Sequence, residues 1–409
     1  MTEAWIIDAC RTPRGIGKSG KGSLAHVHPH RIGSAVLSAI RDRNNINTAD
    51  VDDVIWGTSA QGGAQAGDIG RMTALDAGYD IKSSGVTLDR FCGSGLTAVN
   101  FAAASVMSGM EDLVVAGGSE KMSAPDRMAG RLPSMDQGNL HLRYLHPQIH
   151  QGMCADAIAS IEHINRMSLD QFALRSQQRA AHAQINGYFN KSLIPVYNED
   201  GSLALAHDEH PRHGTTLEAL SQLAPSFDNL DLSIDGSGDT YRRLLAIKYP
   251  GLEIPHVHHA GNSSGVVDGA AAVLFASPEY ATRNRLAPRA RVVAVANMGG
   301  CPTLMLNAPV NSVEKVLLKA RLQIDDIDLF EINEAFAVVV EKCIRDLKLD
   351  PEKVNVNGGA IALGHPIGAT GVMLIGTLLD ELERRDMRYG LVTLCAGGGM
   401  APAMIIERL

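Results

Sequence analysis

Apolar residues in this chain follow two alternating rhythms. Short runs such as Ala4-Trp5-Ile6-Ile7 have the length and composition of strands. Between them lie stretches with apolar residues at helical spacing. Strand-like and helical segments in alternation predict an α/β fold. The pattern also repeats. Residues 4–9 and 291–296 each read as an opening strand, followed by helices over 31–43 and 312–321. Residues 51–57 are echoed by 324–331, and 110–118 by 388–399. Cys92-Gly93-Ser94-Gly95 and His365-Pro366-Ile367-Gly368 each open an apolar helix. Each half is therefore expected as a strand–helix–strand–helix–strand unit. Packing about a pseudo-twofold would bring two helix N-termini together, one carrying Cys92 and the other His365.

Residues 123–260 break the rhythm. They are rich in His, Arg and polar residues, with one amphipathic helix expected over 169–186 and a short helical piece over 240–249. Residues 261–276 return to an apolar strand that rejoins the first half's sheet. The expected organisation is one half from 1–122 with 261–287, an inserted loop subdomain over 123–260, and a second half over 288–409.

The bulk properties narrow the function. A chain of 409 residues can bury a substantial core. Its net charge of −8 and lack of a Lys/Arg-rich run argue against nucleic-acid binding. The six cysteines form no CxxC pair or zinc spacing, and no signal peptide or membrane-length apolar run is read, so a soluble cytoplasmic protein is expected. The histidine groups 26–30 and 256–259 lack accompanying ligands at metal spacing, and no metal is expected.

The stretch from Asn357 to Gly371 places His365 among five glycines and Pro366. Glycines permit close backbone approach, and Pro366 suits the first turn of a helix. His365 would thus sit at a helix mouth facing a cavity. Cys92 follows a strand and a sharp turn, a geometry that exposes a nucleophile. A helix N-terminus and a nearby imidazole would both lower its pKa; the alternative is a small buried hydrophobe. Cys395 ends the last core strand of the repeat, before Gly397-Gly398-Gly399, whose N–H groups can bind an oxyanion. A second thiol there suits proton transfer. Asn333-Glu334 follows a strand end, where α/β proteins build sites. Cys10, Cys154, Cys301 and Cys343 are expected as buried hydrophobes.

Taken in order, Cys92 in its turn, Asn333-Glu334-Ala335-Phe336, Gly364-His365-Pro366-Ile367-Gly368-Ala369-Thr370-Gly371 and Cys395-Ala396-Gly397-Gly398-Gly399 resemble the thiolase family over essentially the whole chain. Gly261-Asn262-Ser263-Ser264-Gly265 and the run 268–272 add a further match. The resemblance implies duplicated α/β halves layered α-β-α-β-α. It also implies reversible thiolytic cleavage of a 3-ketoacyl-CoA, with coenzyme A as co-substrate and no permanently bound cofactor. Cys92 would carry the acyl group, His365 would activate it, and Cys395 would move the proton of the α-carbon and of the incoming thiol. One oxyanion hole would use His365 and a water held by Asn333, and the other the N–H groups of Cys92 and Gly397. The glycines would let a thioester and its pantetheine slide between two helix ends.

The same resemblance points to Arg212, Ser264, Phe227, His150 and Phe336 as coenzyme A contacts, to the inserted subdomain as the place of coenzyme A and oligomer contacts, and to a homodimer or homotetramer. Two departures stand out. Residues between Phe227 and Gly261 form a longer segment than the family's usual one. They could extend the phosphate site, reshape the acyl pocket or form a solvated excursion, and the last is the default expectation. Gln151 stands where short-chain members tend to carry methionine. The alternatives are an acetoacetyl-CoA-forming thiolase, a ketosynthase-like condensing enzyme, and a non-catalytic lipid carrier.

Overall fold

The computed structural model describes residues 2–132 and 134–409. Strand β1 (Trp5–Arg11) is followed by α1 (Pro29–Asn44), β2 (Asp53–Gly57), β3 (Val86–Leu88), α2 (Ser94–Ser108) and β4 (Leu113–Glu120). The chain then leaves the sheet for a largely helical excursion containing α3 (Gln151–Ile161), α4 (Arg166–Ile185) and α5 (Tyr241–Lys248). It returns as β5 (Val267–Ala276). The second half runs through β6 (Ala290–Gly299), α6 (Ala308–Ala320), β7 (Leu329–Ile332), α7 (Ala337–Leu347), α8 (Ile367–Arg385), β8 (Tyr389–Thr393) and β9 (Met400–Arg408).

Helix boundaries follow local chemistry. Pro29 starts α1 behind His28, whose ring accepts the His30 N–H. Asn165 caps α4 through the Ser168 N–H. Gly109, at φ 77°, ends α2 in the left-handed conformation that glycine adopts without strain. Pro366 is the N-cap of α8 rather than a first-turn residue, so the helix begins one residue later than its proline suggested.

The duplication appears in the strand pairing. Strands lie in the order β7-β8-β9-β6-β1-β5-β4-β2-β3. From β1 outward the pairings are antiparallel, antiparallel, then parallel. From β6 outward they follow the same series. The two series meet where Trp5 pairs with Arg291 and Ile6 with Ala290. Strand β9 was not among the expected elements. Both its faces are buried, Met404 and Ile406 on one side and Ala403 and Ile405 on the other. A strand covered on both faces lacks the polar alternation that would mark it.

The same period of two sorts side chains between layers. In β4, Val114 and Ala116 face the central layer, whereas Leu113 and Val115 face α1. The central layer is the pair α2 and α8, which touches strands of both halves. Leu96, Val99 and Ala103 meet Leu374, Ile375 and Leu378 there. Each fully buried Leu or Ile contributes roughly 1.5–3 kcal/mol of transfer free energy. Helices α1 and α6 cover the outer faces of the two sheets. The result is the layered α-β-α-β-α architecture.

Close approach of α2 and α8 depends on glycine. A Cβ at Gly95 would stand 2.5 Å from the Gly368 carbonyl oxygen, and one at Gly371 would stand 2.2 Å from the Leu96 nitrogen. The idea that glycines beside His365 clear a path for a ligand is thus corrected for Gly368 and Gly371. Their missing side chains make room for the other half of the protein.

Three further expectations change. Residues 229–255 are only in part a solvated excursion: most of the segment is exposed, Leu232 and Ile247 included, but Leu230, Ile234, Leu244 and Leu245 are buried in the outer core of the second half. The driving force is burial of the apolar face of α5. Cys10, Cys154 and Cys343 are buried, but Cys301 is exposed, with its sulfur 3.5 Å from the Tyr249 hydroxyl. The stretch Phe91–Ser108 is long and apolar enough to cross a membrane by length and composition, contrary to the reading that no run reaches that length. It owes that character to α2, a core helix.

Candidate active site

The turn before α2 is sharply constrained. Phe91 adopts φ 49°, a left-handed conformation that costs a non-glycine residue energy. Ser94 holds it there, donating to the Phe91 carbonyl at 2.6 Å and accepting the Arg90 N–H at 2.8 Å. The strained turn lifts Cys92 to the floor of a cleft of about 740 Å³. The walls include Phe91, Met122, Met135, Met305, Ile234 and Tyr241, and Gly397 lies beside the thiol.

The thiol's protonation departs from expectation. Burial, followed by the negative charge of Glu120, pushes Cys92 up to about 12, whereas the N–H groups of Cys92 and Gly397 pull it down. The helix terminus does not win. Cys92 precedes the cap residue Gly93, and desolvation of a thiolate there outweighs the dipole.

His365 enters α8 through Gly364, at φ 96°, and its own N–H donates to the Gly265 carbonyl at 2.8 Å. Burial, then the charge of Arg14, lowers the imidazole to about 4. The ring is therefore neutral at neutral pH. Its Nδ1 lies 2.6 Å from the Thr370 hydroxyl, which donates to the Pro366 carbonyl at 3.1 Å. With the hydroxyl proton directed at Pro366, this network assigns Nδ1 as the N–H donor to Thr370. That leaves Nε2 with a free lone pair. The Asn333 side-chain nitrogen lies 3.4 Å from Nε2, and the Asn333 Oδ1 is buried without a hydrogen-bond partner. Such an orphaned acceptor fits a bound water.

Glu334, next in the chain, supports this arrangement. Its buried carboxylate accepts from Ser176 Oγ at 2.6 Å, Asn355 Nδ2 at 3.0 Å and the Ile361 N–H at 3.1 Å. It thereby fixes the loop leading to His365.

Cys395 is buried just beyond β8, and burial, followed by the neighbouring Cys92, holds its thiol well above the ordinary range. The loop turns back at once: the Ala396 N–H donates to the Met400 carbonyl at 2.7 Å, while Gly398 and Gly399 take φ 75° and 78°. Gly397 packs between Phe91 and Met135, where a Cβ would approach each within 2.9 Å.

Thus the structure gathers Cys92, Cys395 and Gly397 at one point. The contact of Gly95 with Gly368, each three residues after Cys92 and His365 respectively, brings the two helix starts together. Among the coenzyme A positions, the His150 ring stacks on Phe227 at 5.5 Å, and Phe227 meets Phe336 edge-on at 5.7 Å. The Ser264 N–H donates to the Ala335 carbonyl beside Phe336. Arg212 stands apart on the exposed surface, with no ion pair to the described residues, and its backbone N–H donates to Gln177. His258 and His259 are buried against Asp156 and Asp170, at 2.7 and 2.8 Å.

Sequence reasoning missed Thr370, Glu120 and Arg14. Thr370 lay in plain view within the His365 motif, one helical turn beyond Pro366. Glu120 and Arg14 carry no local signal.

Comparison with known proteins agrees with this architecture. The thiolase N-terminal domain family model matches residues 4–232, and the thiolase C-terminal domain model matches residues 286–408. The chain is 38% identical to a β-ketoadipyl-CoA thiolase of Acinetobacter baylyi over 100% of both chains. It is 40% identical to a steroid 3-ketoacyl-CoA thiolase of Mycobacterium tuberculosis, covering 100% of this chain and 95% of that protein. Among solved structures, human mitochondrial 3-ketoacyl-CoA thiolase superposes with a TM-score of 0.83 at 32% identity, covering 100% of this chain and 99% of that one. The Bacillus anthracis acetyl-CoA acetyltransferase gives 0.85 at 33%, with the same coverage.

Proposed function

The chain belongs to the thiolase family, and from that premise we propose that it is an acetyl-CoA C-acyltransferase. In the cleaving direction it takes a 3-ketoacyl-CoA and CoA to acetyl-CoA and an acyl-CoA two carbons shorter. The observation that carries this reading is His365, held through Nδ1 to Thr370 and lowered to about 4 by burial, on a helix start packed against that of Cys92.

The reaction begins when Nε2 of His365 accepts the Cys92 proton. The thiolate attacks the 3-keto carbon, and the N–H groups of Cys92 and Gly397 receive the developing oxyanion. The bond between the α-carbon and the keto carbon breaks, leaving an acyl-Cys92 thioester and an acetyl-CoA enolate. The enolate oxygen is stabilised by the protonated Nε2 and by a water on Asn333. Cys395 delivers a proton to the α-carbon and becomes a thiolate. It then takes the proton of CoA, whose sulfur attacks the acyl group and expels the Cys92 thiolate, which recovers its proton from Nε2 of His365. A thiol pair held above its ordinary range, Cys92 at the cleft floor and Cys395 buried behind it, suits this cycle, because each sulfur is charged only while the substrate compensates it.

A ketosynthase-like reading is weaker, since that chemistry generally uses two histidines beside the nucleophile, and the counterpart positions here hold Asn333 and Cys395. The relatives' names include β-ketoadipyl-CoA and steroid 3-ketoacyl-CoA thiolases, whose acyl groups are larger than acetoacetyl, beside acetyl-CoA acetyltransferases; the first two support a substrate beyond acetoacetyl-CoA.

The test supplies purified protein with CoA and a panel of 3-ketoacyl-CoAs, and follows acetyl-CoA. Formation of acetyl-CoA, with the acyl adduct mapped by mass spectrometry to Cys92, is expected. Absence of acetyl-CoA across the panel, or undiminished thiolysis by Cys92→Ala, would overturn the reading.

A further inference from the structure

The segment over residues 229–255 takes no part in that cycle, yet it is built into the cleft. The device that holds it is Arg143, whose side chain has no exposed surface. Its guanidinium donates to both oxygens of Asp136 at 2.8 Å, to Asp235 at 2.5 Å and to Ser237 at 2.9 Å. Asp239 lies 3.3 Å away and also accepts the Tyr144 hydroxyl at 3.0 Å. A planar fork with several donors is the group suited to join carboxylates of separate loops. Three carboxylates this close would repel one another if the cation were removed.

The two joined loops supply cleft wall on either side of the carboxylates. Met135 adjoins Asp136, Ile234 adjoins Asp235, and Tyr241 follows Asp239 by two residues; all three line the cleft with Cys92. Behind them, Leu244 and Leu245 anchor α5 in the outer core. His150 marks the border of this chamber. One neighbour is Tyr241, at 6.4 Å, and the other is Phe227, at 5.5 Å. Of the five positions that the family resemblance gives to coenzyme A, only His150 lines the cleft. The rest of the chamber is thus left for the acyl group.

We infer that residues 229–255 complete the acyl chamber of the thiolysis site through Ile234 and Tyr241, and that Arg143 is a positioning residue that fixes its wall. The chamber takes acyl groups that are large and mainly apolar. Met122, Met135, Met305, Ile149, Ile234 and Tyr241 supply the apolar lining, where methionine adapts to irregular shapes, while Asp89, Arg127, Arg131, Gln148 and Gln151 add a polar part to the same cleft. A volume of about 740 Å³ far exceeds what a methyl group needs. The inference rests on the proposed thiolase reaction and deepens it by naming the substrate class.

Acetoacetyl-CoA carries only a methyl group beyond its keto carbon and needs little of this wall, whereas a long acyl chain needs much more of it. The readout is therefore the ratio of kcat/KM for 3-ketodecanoyl-CoA to that for acetoacetyl-CoA, with kcat and KM resolved separately. Ile234→Trp fills the chamber and should lower the ratio about tenfold or more. Arg143→Met frees the wall and should lower it similarly, chiefly by raising KM for the long substrate. If that protein does not fold, Arg143→Lys, which keeps a cation but loses the fork, is held to the same criterion. Equal losses on both substrates, or an unchanged ratio in these variants of an active enzyme, overturn the chamber and leave the reaction standing. A wild-type protein that thiolyses no 3-ketoacyl-CoA overturns the reaction itself, and the chamber with it.

Discussion

Gly368 donates its backbone N–H to the Glu120 carboxylate at 2.9 Å, across the boundary between the two halves. Glu120 ends β4 and also accepts the N–H groups of Ser59 at 3.1 Å and Ala60 at 2.9 Å. One buried acid therefore ties the first residues of α8 to the first sheet. The same charge is, after burial, the largest influence raising the Cys92 thiol.

Glu120→Gln separates these effects. The amide keeps the shape but loses the charge-assisted bonds, and stability should fall by about 1–3 kcal/mol. Removing the negative charge should also lower the Cys92 pKa, so alkylation by iodoacetamide at pH 8 should become faster. Slower alkylation of a folded variant would contradict the electrostatic account.

Thr370→Val tests the tautomer. The substitution keeps the volume but removes the acceptor for Nδ1–H of His365. A loss of about 10-fold or more in activity is expected, by analogy with the partners that orient metal-ligating histidines. The loss should appear in kcat, with KM for the acyl-CoA little changed; a loss confined to KM would argue that Thr370 serves binding instead.

His365 also leaves a mark on acid stability. Its imidazole is lowered from 6.5 to about 4 in the folded protein, so the unfolded chain binds the extra proton first. Stability from this group is complete above pH 6.5 and is lost as pH falls toward and through 4. The loss amounts to up to about 3 kcal/mol. Denaturant titrations at pH 7 and pH 4 should show a larger decline for the wild type than for His365→Asn. Equal declines would place the cause elsewhere.

Gly371→Ala would set a methyl 2.2 Å from the Leu96 nitrogen, where neither helix can yield cheaply. A loss of about 2–3 kcal/mol or more is expected. Gly299→Ala, which meets nothing within 4 Å, should stay within about 0.5 kcal/mol of wild type. Thermal melts of the pair read the difference directly.

Much of this molecule was legible before its structure. The echo between 51–57 and 324–331, and between 110–118 and 388–399, follows from the need of each half to build the same strands, and it led to the pairing of Cys92 with His365. What remained hidden was long-range. Burial of Cys92 beside Glu120 reverses the pKa expected from a helix start, and no local pattern shows which acid lies opposite a thiol. Arg143 and Asp239 are 96 residues apart, and no periodicity links them. Residues 229–255 looked solvated because charges punctuate them, yet α5 turns its leucines inward. Strand β9 escaped notice because apolar residues on both faces leave no alternation.

The seam between β1 and β6 consists of two residue pairs, so the halves are held mainly by α2 against α8. Each half supplies one member of the proposed Cys92–His365 pair, and neither is useful alone. Turnover therefore counts the molecules in which both halves have docked.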